Sequence, residues 1–287
     1  MPHISIFLEL TRLKKSIGYM LLFWPCAWGL TIAYDFQNGF EKYFFYILLF
    51  FLGSVLMRSA GCIVNDIVDK DFDKNVERTK NRPLASGKIT VKLSIIYAII
   101  LCLLAFLVLI NFNFLTIILA ISSMPLAFSY PLMKRFTYWP QLFLGITFNY
   151  GLLLGWTSIT ETINFLPIIF YFGAIFWTLG YDTIYGFQDI EDDEIIGVKS
   201  TSIKFKKNPK IFLSICYFIF TLCYLIMGMN IDFNNYFFIG FFVIIFHLFI
   251  FQIYNFDKNN KSKCLNIFKS NNLLGLLILI TILIGKI

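Results

Sequence analysis

Residues 57–92 read MRSAGCIVNDIVDKDFDKNVERTKNRPLASGKITVK. An apolar run ends here and gives way to closely spaced acids and bases, so the segment marks both the edge of a buried helix and the start of something charged. Asn65, Asp69 and Asp73 recur at every fourth position. On a helix advancing about 100° per residue, their oxygen-bearing side chains lie along one slowly drifting face. Carboxylates at i and i+4 repel and weaken a bare helix by about 0.2–0.5 kcal/mol per pair. A divalent cation is the natural partner of such a face.

The rest of the chain sets the surroundings of that face. Its 287 residues are 58% hydrophobic and 14% charged, with a mean hydropathy of +0.74, against about 25% charged in soluble domains. This composition belongs to an integral membrane protein. A bilayer core of about 30 Å takes about 20 apolar residues, and nine runs fit, near residues 16–34, 43–64, 93–110, 114–132, 139–158, 164–182, 210–229, 236–255 and 271–287. They are continuously apolar, without the alternation of a membrane strand, which disfavours a barrel. The expected fold is an all-α membrane bundle of nine transmembrane helices, one domain over residues 1–287. The start, MPHISIFLELTRLKKSIGYML, lacks a short apolar core followed by a small-residue cleavage site, so its first hydrophobic run is expected to be retained.

Charge sets the orientation. Of the 24 basic residues, only Lys42 and Lys286 fall on the side opposite the acidic segment, and cytoplasmic loops carry the excess of Lys and Arg. The N-terminus and the loops after spans 2, 4, 6 and 8 are therefore expected in the cytoplasm, as in a bacterial-type inner membrane. This segregation accounts for the net charge of +7 and makes a nucleic-acid partner unnecessary. The six cysteines contain no C-x-x-C pair and mostly fall in apolar runs, which reads as small buried thiols. His3 and His247 stand far from the acids in sequence and suggest no zinc site.

Two inner loops are long, 65–92 and 183–209, and each opens with acids and continues with bases. Asp66, Asp69, Asp71 and Asp73 precede Arg78, Lys80 and Arg82. Four spans later, Asp182, Asp189, Asp192 and Asp193 precede Lys199 and Lys204, the pattern of a weak internal repeat. Asp182, Asp189 and Asp193 can share a helical face. Carboxylates without His or Cys suit magnesium, which commonly bridges protein acids to substrate phosphates. Arg58, Lys80, Arg82, Lys134 and Arg135 could hold the remaining charge of a diphosphate, while apolar helices beneath would take a long hydrocarbon tail. Tyr130 and Lys134 lie one turn apart at the inner end of span 4, a spacing that interfacial anchoring would also give. Asn149 inside span 5 is costly enough in lipid to suggest a pocket role.

Together these motifs resemble the UbiA-type membrane prenyltransferases. The first signature is N-D-x-x-D-x-x-x-D at Asn65, Asp66, Asp69 and Asp73, followed by ERTKNRPLASG. The second is D-x-x-x-D at Asp189 and Asp193, preceded by YDTIYGFQ and followed by GVKSTS, and Tyr130 and Lys134 fit the family's Y-x-x-x-K. With LLFWPCAWGL, MRSAGC and PQLFLGITFNYG, the chain is most similar to the branch whose acceptor is 4-hydroxybenzoate. The resemblance implies a cytoplasmic cap on the bundle and a polyprenyl diphosphate held between the acidic motifs by two magnesium ions. Asn65, Asp69 and Asp73 would serve one ion, and Asp189 and Asp193 the other. Tyr130 and Lys134 would lie by the diphosphate or the cation derived from it, and Arg58, Lys80, Arg82, Arg135, Asn149 and Asp182 would contact substrate. The implied reaction attaches the prenyl chain to the ring carbon beside the phenolic oxygen, an early step towards ubiquinone. The rivals are the same fold with a haem, naphthoate or chlorophyll-precursor acceptor, and a secondary transporter. The carboxylates sit at helix ends rather than at the bilayer midplane, which speaks against a transporter.

Overall fold

The structure is a computed structural model that describes residues 2–287, the side chains of Pro2 and Asn38 excepted. In chain order the helices are α1 (Pro2–Leu10), α2 (Ile17–Ala33), α3 (Glu41–Val68), α4 (Lys70–Asp73), α5 (Val91–Leu109), α6 (Phe114–Phe136), α7 (Pro140–Thr160) and α8 (Phe165–Gly186). They continue as α9 (Ile190–Ile195), α10 (Thr201–Lys204), α11 (Pro209–Met229), α12 (Tyr236–Ile245) and α13 (Lys261–Lys286). A 3-10 turn at Phe36–Asn38 precedes α3, and a π-helical stretch, Phe246–Tyr254, extends α12. Eight helices are long and apolar enough to cross a bilayer, counting α12 with its π-helical extension. The ninth expected span is α2, an apolar helix of 17 residues. Among the described residues there is no strand, so the chain is an all-helical, multi-pass membrane protein.

Local chemistry fixes many helix starts. The side chains of Thr90, Asn113, Asn164 and Asn260 accept from the backbone N–H of Leu93, Thr116, Leu166 and Lys263, satisfying donors that the first turn leaves free. Pro140 and Pro209 open α7 and α11, where a missing N–H costs nothing. Four boundaries differ from the hydropathy reading by four residues or more, α6 and α8 running on to Phe136 and Gly186. α3 continues to Val68 and so carries Asn65 on its last turn, and α13 begins at Lys261, ten residues before the expected span, because its polar first turns are capped by Asn260.

Burial is uneven. α2, α7, α8 and α11 form the densely packed centre around Trp28, Phe170, Trp177 and Tyr217. By contrast α5 buries only Ser94, Ala98, Leu101 and Ala105, and α6 only Thr116, Ala120, Ser123 and Pro131. Their outer faces present Ile99, Leu103, Phe114 and Ile121, as befits helices against lipid. α2 and α7 meet at small residues. A Cβ on Gly29 would fall 2.0 Å from the Leu152 carbonyl oxygen, and one on Gly155 would fall 2.2 Å from that of Cys26. Only hydrogen fits between these backbones. Gly155→Leu is therefore expected to lower stability by at least about 1–3 kcal/mol through overpacking. Thermal unfolding in detergent measures it, and a wild-type midpoint would contradict the close packing.

Candidate functional site

The every-fourth spacing survives the end of α3. Asp69 N donates to Asn65 O at 2.9 Å and Asp73 N to Asp69 O at 2.8 Å, so the helical path runs on into α4. Asp69 and Asp73 are almost fully buried. Lys134 Nζ lies 2.6 Å from Asp69 Oδ2, whereas Asp69 Oδ1 is buried without a hydrogen-bond partner. Burial pushes the Asp69 carboxyl above its usual range despite the pull of Lys134. Asp66, one residue beyond Asn65, is turned about 100° away from that face and into the protein. It is 1% exposed, and its Oδ1 accepts from Arg12 and, at 3.1 Å, from Arg82 Nη1. The same Arg82 nitrogen donates to Asp73 Oδ2 at 2.8 Å.

The second motif lies at the start of α9. Arg78, from the segment after α4, brackets Asp189: its Nε lies 2.9 Å from each carboxylate oxygen and its Nη2 2.5 Å from Oδ2. Its third nitrogen, Nη1, donates to the Tyr185 hydroxyl at 3.2 Å. Asp193 N donates to Asp189 O at 2.9 Å. Burial, and then the neighbouring Asp189, push the Asp193 carboxyl up to about 6, against the opposing fields of Lys134 and Arg78. Lys199 N also donates to Lys134 O at 2.9 Å. Arg78 thus links the first acidic segment to the second, and Lys134 faces both.

Below this ring of charge lies a largely apolar cavity of about 250 Å³ between α2, α3, α5, α6 and α7. Arg58, Tyr130, Phe148 and Tyr150 line it beside Phe112 and Met124. The Arg58 guanidinium sits 5.3 Å from the centre of the Phe148 ring, next to Tyr130 and within the field of Asp182, and its Nε is buried without a partner.

The expected residues divide in two. Asn65, Asp69, Asp73, Arg82, Lys134, Asp189 and Asp193 gather at one end of the bundle, with Arg58, Tyr130 and Asp182 close beneath. Three others are engaged with partners outside that group. Lys80 is half exposed and pairs with Glu77 at 2.6 Å. Arg135 donates to Val68 O at 2.7 Å and packs on the Phe72 ring, closing the end of α3. Asn149 is fully buried and ties α7 to α8, donating to Thr178 Oγ1 at 2.7 Å and Gly145 O at 2.8 Å. Arg12, Asp66 and the pairing role of Arg78 are additions to the site. The one-residue offset of Asp66 was the available signal for the second of these.

Among the described residues, no three His, Cys, Asp or Glu side chains are grouped tightly enough to enclose a metal ion, and Asp69, Asp73 and Asp189 each pair with a cation. The donor set nevertheless fits a hard divalent ion. It offers oxygens only, from two motifs tied together, and the free lone pairs of Asp69 Oδ1 await a partner.

An all-helical membrane bundle with two acidic motifs gathered over an apolar cavity defines a class, and comparison identifies it. Residues 22–276 match the UbiA prenyltransferase family, and the chain belongs to that family. It is similar to the mitochondrial 4-hydroxybenzoate polyprenyltransferases of Arabidopsis thaliana (47% identical over 211 residues, 72% of this chain and 51% of the relative), Dictyostelium discoideum (40% over 283 residues, 98% and 60%) and Homo sapiens (40% over 284 residues, 98% and 75%). The chain spans between about half and three quarters of the length of these relatives. Its fold is that of a UbiA homolog from Archaeoglobus fulgidus bound to DMAPP and Mg2+, with a TM-score of 0.73 at 17% identity, covering 97% of this chain and 98% of that one. The apo UbiA homolog from Aeropyrum pernix K1 gives a TM-score of 0.73 at 20% identity, covering 94% and 97%.

The Lys134–Asp69 contact carries a testable cost. Lys134→Ala leaves a buried carboxylate without its cation and is expected to lower stability by about 1–3 kcal/mol. The double variant Asp69→Asn, Lys134→Met removes both charges and is expected to recover most of the loss. Equal unfolding midpoints for Lys134→Ala and the wild type would show that the pair contributes nothing.

Proposed function

We propose that this chain, folded as a single UbiA-type domain, transfers a polyprenyl group from a polyprenyl diphosphate to C3 of 4-hydroxybenzoate. The carrying observation is the joining of two acidic motifs, through Arg78 with Asp189 and Lys134 beside Asp69, above an apolar cavity with Arg58 and Tyr130 on its wall. The names of the curated relatives favour this acceptor over a haem, naphthoate or chlorophyll precursor. Family membership displaces the transporter reading.

In this proposal Asn65, Asp69 and Asp73 hold one magnesium ion, and Asp189 and Asp193 another. Bound there, magnesium would neutralise charge on the diphosphate as it departs. The protein's own groups do the rest. Lys134, turned from Asp69, and Arg82, through the guanidinium nitrogens not engaged with Asp66 and Asp73, donate to phosphate oxygens, which lowers the barrier to breaking the allylic C–O bond. The electron pair leaves with the diphosphate, and the allylic carbon becomes cationic. Tyr130 lies beside Arg58 on the cavity wall, where an aromatic ring can stabilise that carbon. The apolar wall keeps water from the cation while the ring carbon of the acceptor attacks. Loss of the ring proton restores aromaticity, giving 3-polyprenyl-4-hydroxybenzoate and diphosphate.

The orientation belongs to the proposal too. It has nine spans, the cap and N-terminus in the cytoplasm and a bacterial-type inner membrane, supported by the segregation of basic residues. The named relatives are mitochondrial, so in an organelle the corresponding side would be the matrix.

Membranes containing the protein, incubated with labelled 4-hydroxybenzoate, prenyl diphosphates of several lengths and magnesium, are expected to form a labelled lipid. Asp69→Ala and Asp189→Ala should each cost at least about 100-fold in rate, the scale of losing a transition-state stabilising group, while the protein remains folded. Chelation should abolish turnover and added magnesium restore it. Labelled product at the wild-type rate from either variant, or in excess chelator, would sink the proposal.

A further inference from the structure

Arg12 stands outside the acidic motifs and before the residues matched to the family, yet it reaches their centre. α1 lies across the end of the bundle, with Leu10 fully buried and Phe7 packed against a small cluster containing Ala60, Ile63 and Leu84. The Phe7 and Tyr97 rings meet edge to face at 5.3 Å. The chain then turns sharply: Arg12 N donates to Glu9 O at 3.2 Å, and Lys15 N donates to Arg12 O at 2.8 Å before α2 begins. At the turn Arg12 has a φ of 55°. This left-handed conformation is one that glycine or asparagine adopts most easily and that ordinarily closes a helix. An arginine is a poor choice for the backbone, so its value lies in the side chain.

That side chain, one quarter exposed, donates to Asp66 Oδ1. Asp66 is 1% exposed, and a carboxylate so placed needs cationic partners. Its other partner is Arg82, whose same Nη1 also donates to Asp73 Oδ2 at 2.8 Å. The four groups form a chain from the N-terminal strap to the far end of the first acidic motif. With Arg12 in place, Asp66 shares Arg82 with Asp73. Without Arg12, the buried carboxylate draws Arg82 wholly to itself, and Asp73 loses the contact that orients it.

We propose that Arg12 is a positioning residue of the diphosphate site, acting through Asp66 and Arg82 to hold Asp73 in place. The strap formed by α1 and its turn is thereby a working part of that site. The inference rests on the prenyl-transfer reading, since it takes Asp73 as a magnesium ligand and Arg82 as a phosphate ligand.

Arg12→Gly separates the backbone from the guanidinium, because glycine suits the turn and lacks the charge. Arg12→Asn, which also tolerates a positive φ, serves as a second such variant. The full chain in lipid nanodiscs is titrated with inorganic diphosphate at fixed magnesium, and thermal unfolding is followed in parallel. Both variants are expected to bind diphosphate at least about tenfold more weakly, the usual scale for losing a residue behind a metal ligand, while the relieved turn and the remaining Arg82 contact keep the unfolding midpoint above that of Lys134→Ala. In an Asp66→Asn background, Arg12→Gly is expected to change affinity by less than about twofold, because the two residues act through one contact. Wild-type affinity in Arg12→Gly overturns the inference. So does a loss of the same size in the Asp66→Asn background, or a midpoint as low as that of Lys134→Ala. Wild-type protein that binds no magnesium diphosphate overturns the prenyl-transfer reading and the inference together.

Discussion

A buried carboxylate must be compensated, and that requirement organises one whole end of this protein. Asp66, Asp69 and Asp73 are each less than 7% exposed. Each takes its cation from a segment remote in sequence or across a turn: Arg12 and Arg82 for Asp66, Lys134 for Asp69, and Arg82 for Asp73. Asp189 is held in the same way by Arg78. These contacts draw the N-terminal strap, the segment after α4, the end of α6 and the start of α9 towards one another. These pairs hold the loops closed over the bundle. Exposed pairs such as Lys74 with Asp71 and Lys261 with Glu191 contribute little to this closure, since water already solvates them.

The helices beneath are fixed by a different force. Lipid offers no hydrophobic drive between apolar helices, so close approach and buried hydrogen bonds decide their arrangement. α2 and α7 touch at glycines. α13 is tied to α2 by Trp28 Nε1 donating to Gly275 O at 2.9 Å, and to α8 by Trp177 Nε1 donating to Asn271 Oδ1 at 2.9 Å. Gln252, carried on the π-helical stretch, donates to the same Asn271 oxygen at 3.0 Å and accepts from the Tyr217 hydroxyl at 2.6 Å. Among the described residues, nothing comparable crosslinks α5 to the core. The cavity opens beside α5, beneath a thin wall completed by α6, which Thr116 joins to Thr157 of α7 at 3.0 Å. A tail entering there would meet lipid on one side and a rigid wall on the other.

How much of this could be read from the sequence follows from the range of each interaction. The spans were legible because twenty apolar residues in a row have few other uses, and the two acidic motifs because a helix converts fixed spacing into a shared face. Partners were not legible. That Arg78 would reach Asp189 rather than solvent depends on closure of two loops 111 residues apart. Asn149 was singled out because an amide in lipid is expensive; Thr178 and the Gly145 carbonyl satisfy its nitrogen locally, while its Oδ1 is buried without a partner. Lys80 and Arg135 had the right charge and side, yet the first found Glu77 and the second the carbonyl of Val68 before either could face the acids. The π-helical turn at Phe246–Tyr254 has no periodic signature distinct from an apolar α-helix, and only its hydrogen-bonded Gln252 reveals its use.

Charge balance then bears on how many ions the proposed site would hold. Five carboxylates, Asp66, Asp69, Asp73, Asp189 and Asp193, gather with four cations, Arg12, Arg78, Arg82 and Lys134, while Asp182 and Arg58 face each other below. With all of them ionised, the upper group carries a single net negative charge. A prenyl diphosphate near neutral pH brings about three more negative charges. One divalent ion would leave the assembly at about two negative charges in a partly desolvated place, where uncompensated charge is costly. Two divalent ions bring it to neutrality. Two ions also give each acidic motif its own partner, and they release Lys134 from Asp69 to the phosphate oxygens without leaving that carboxylate bare. The cations that hold the acids together in this structure are then those best placed to receive the leaving group.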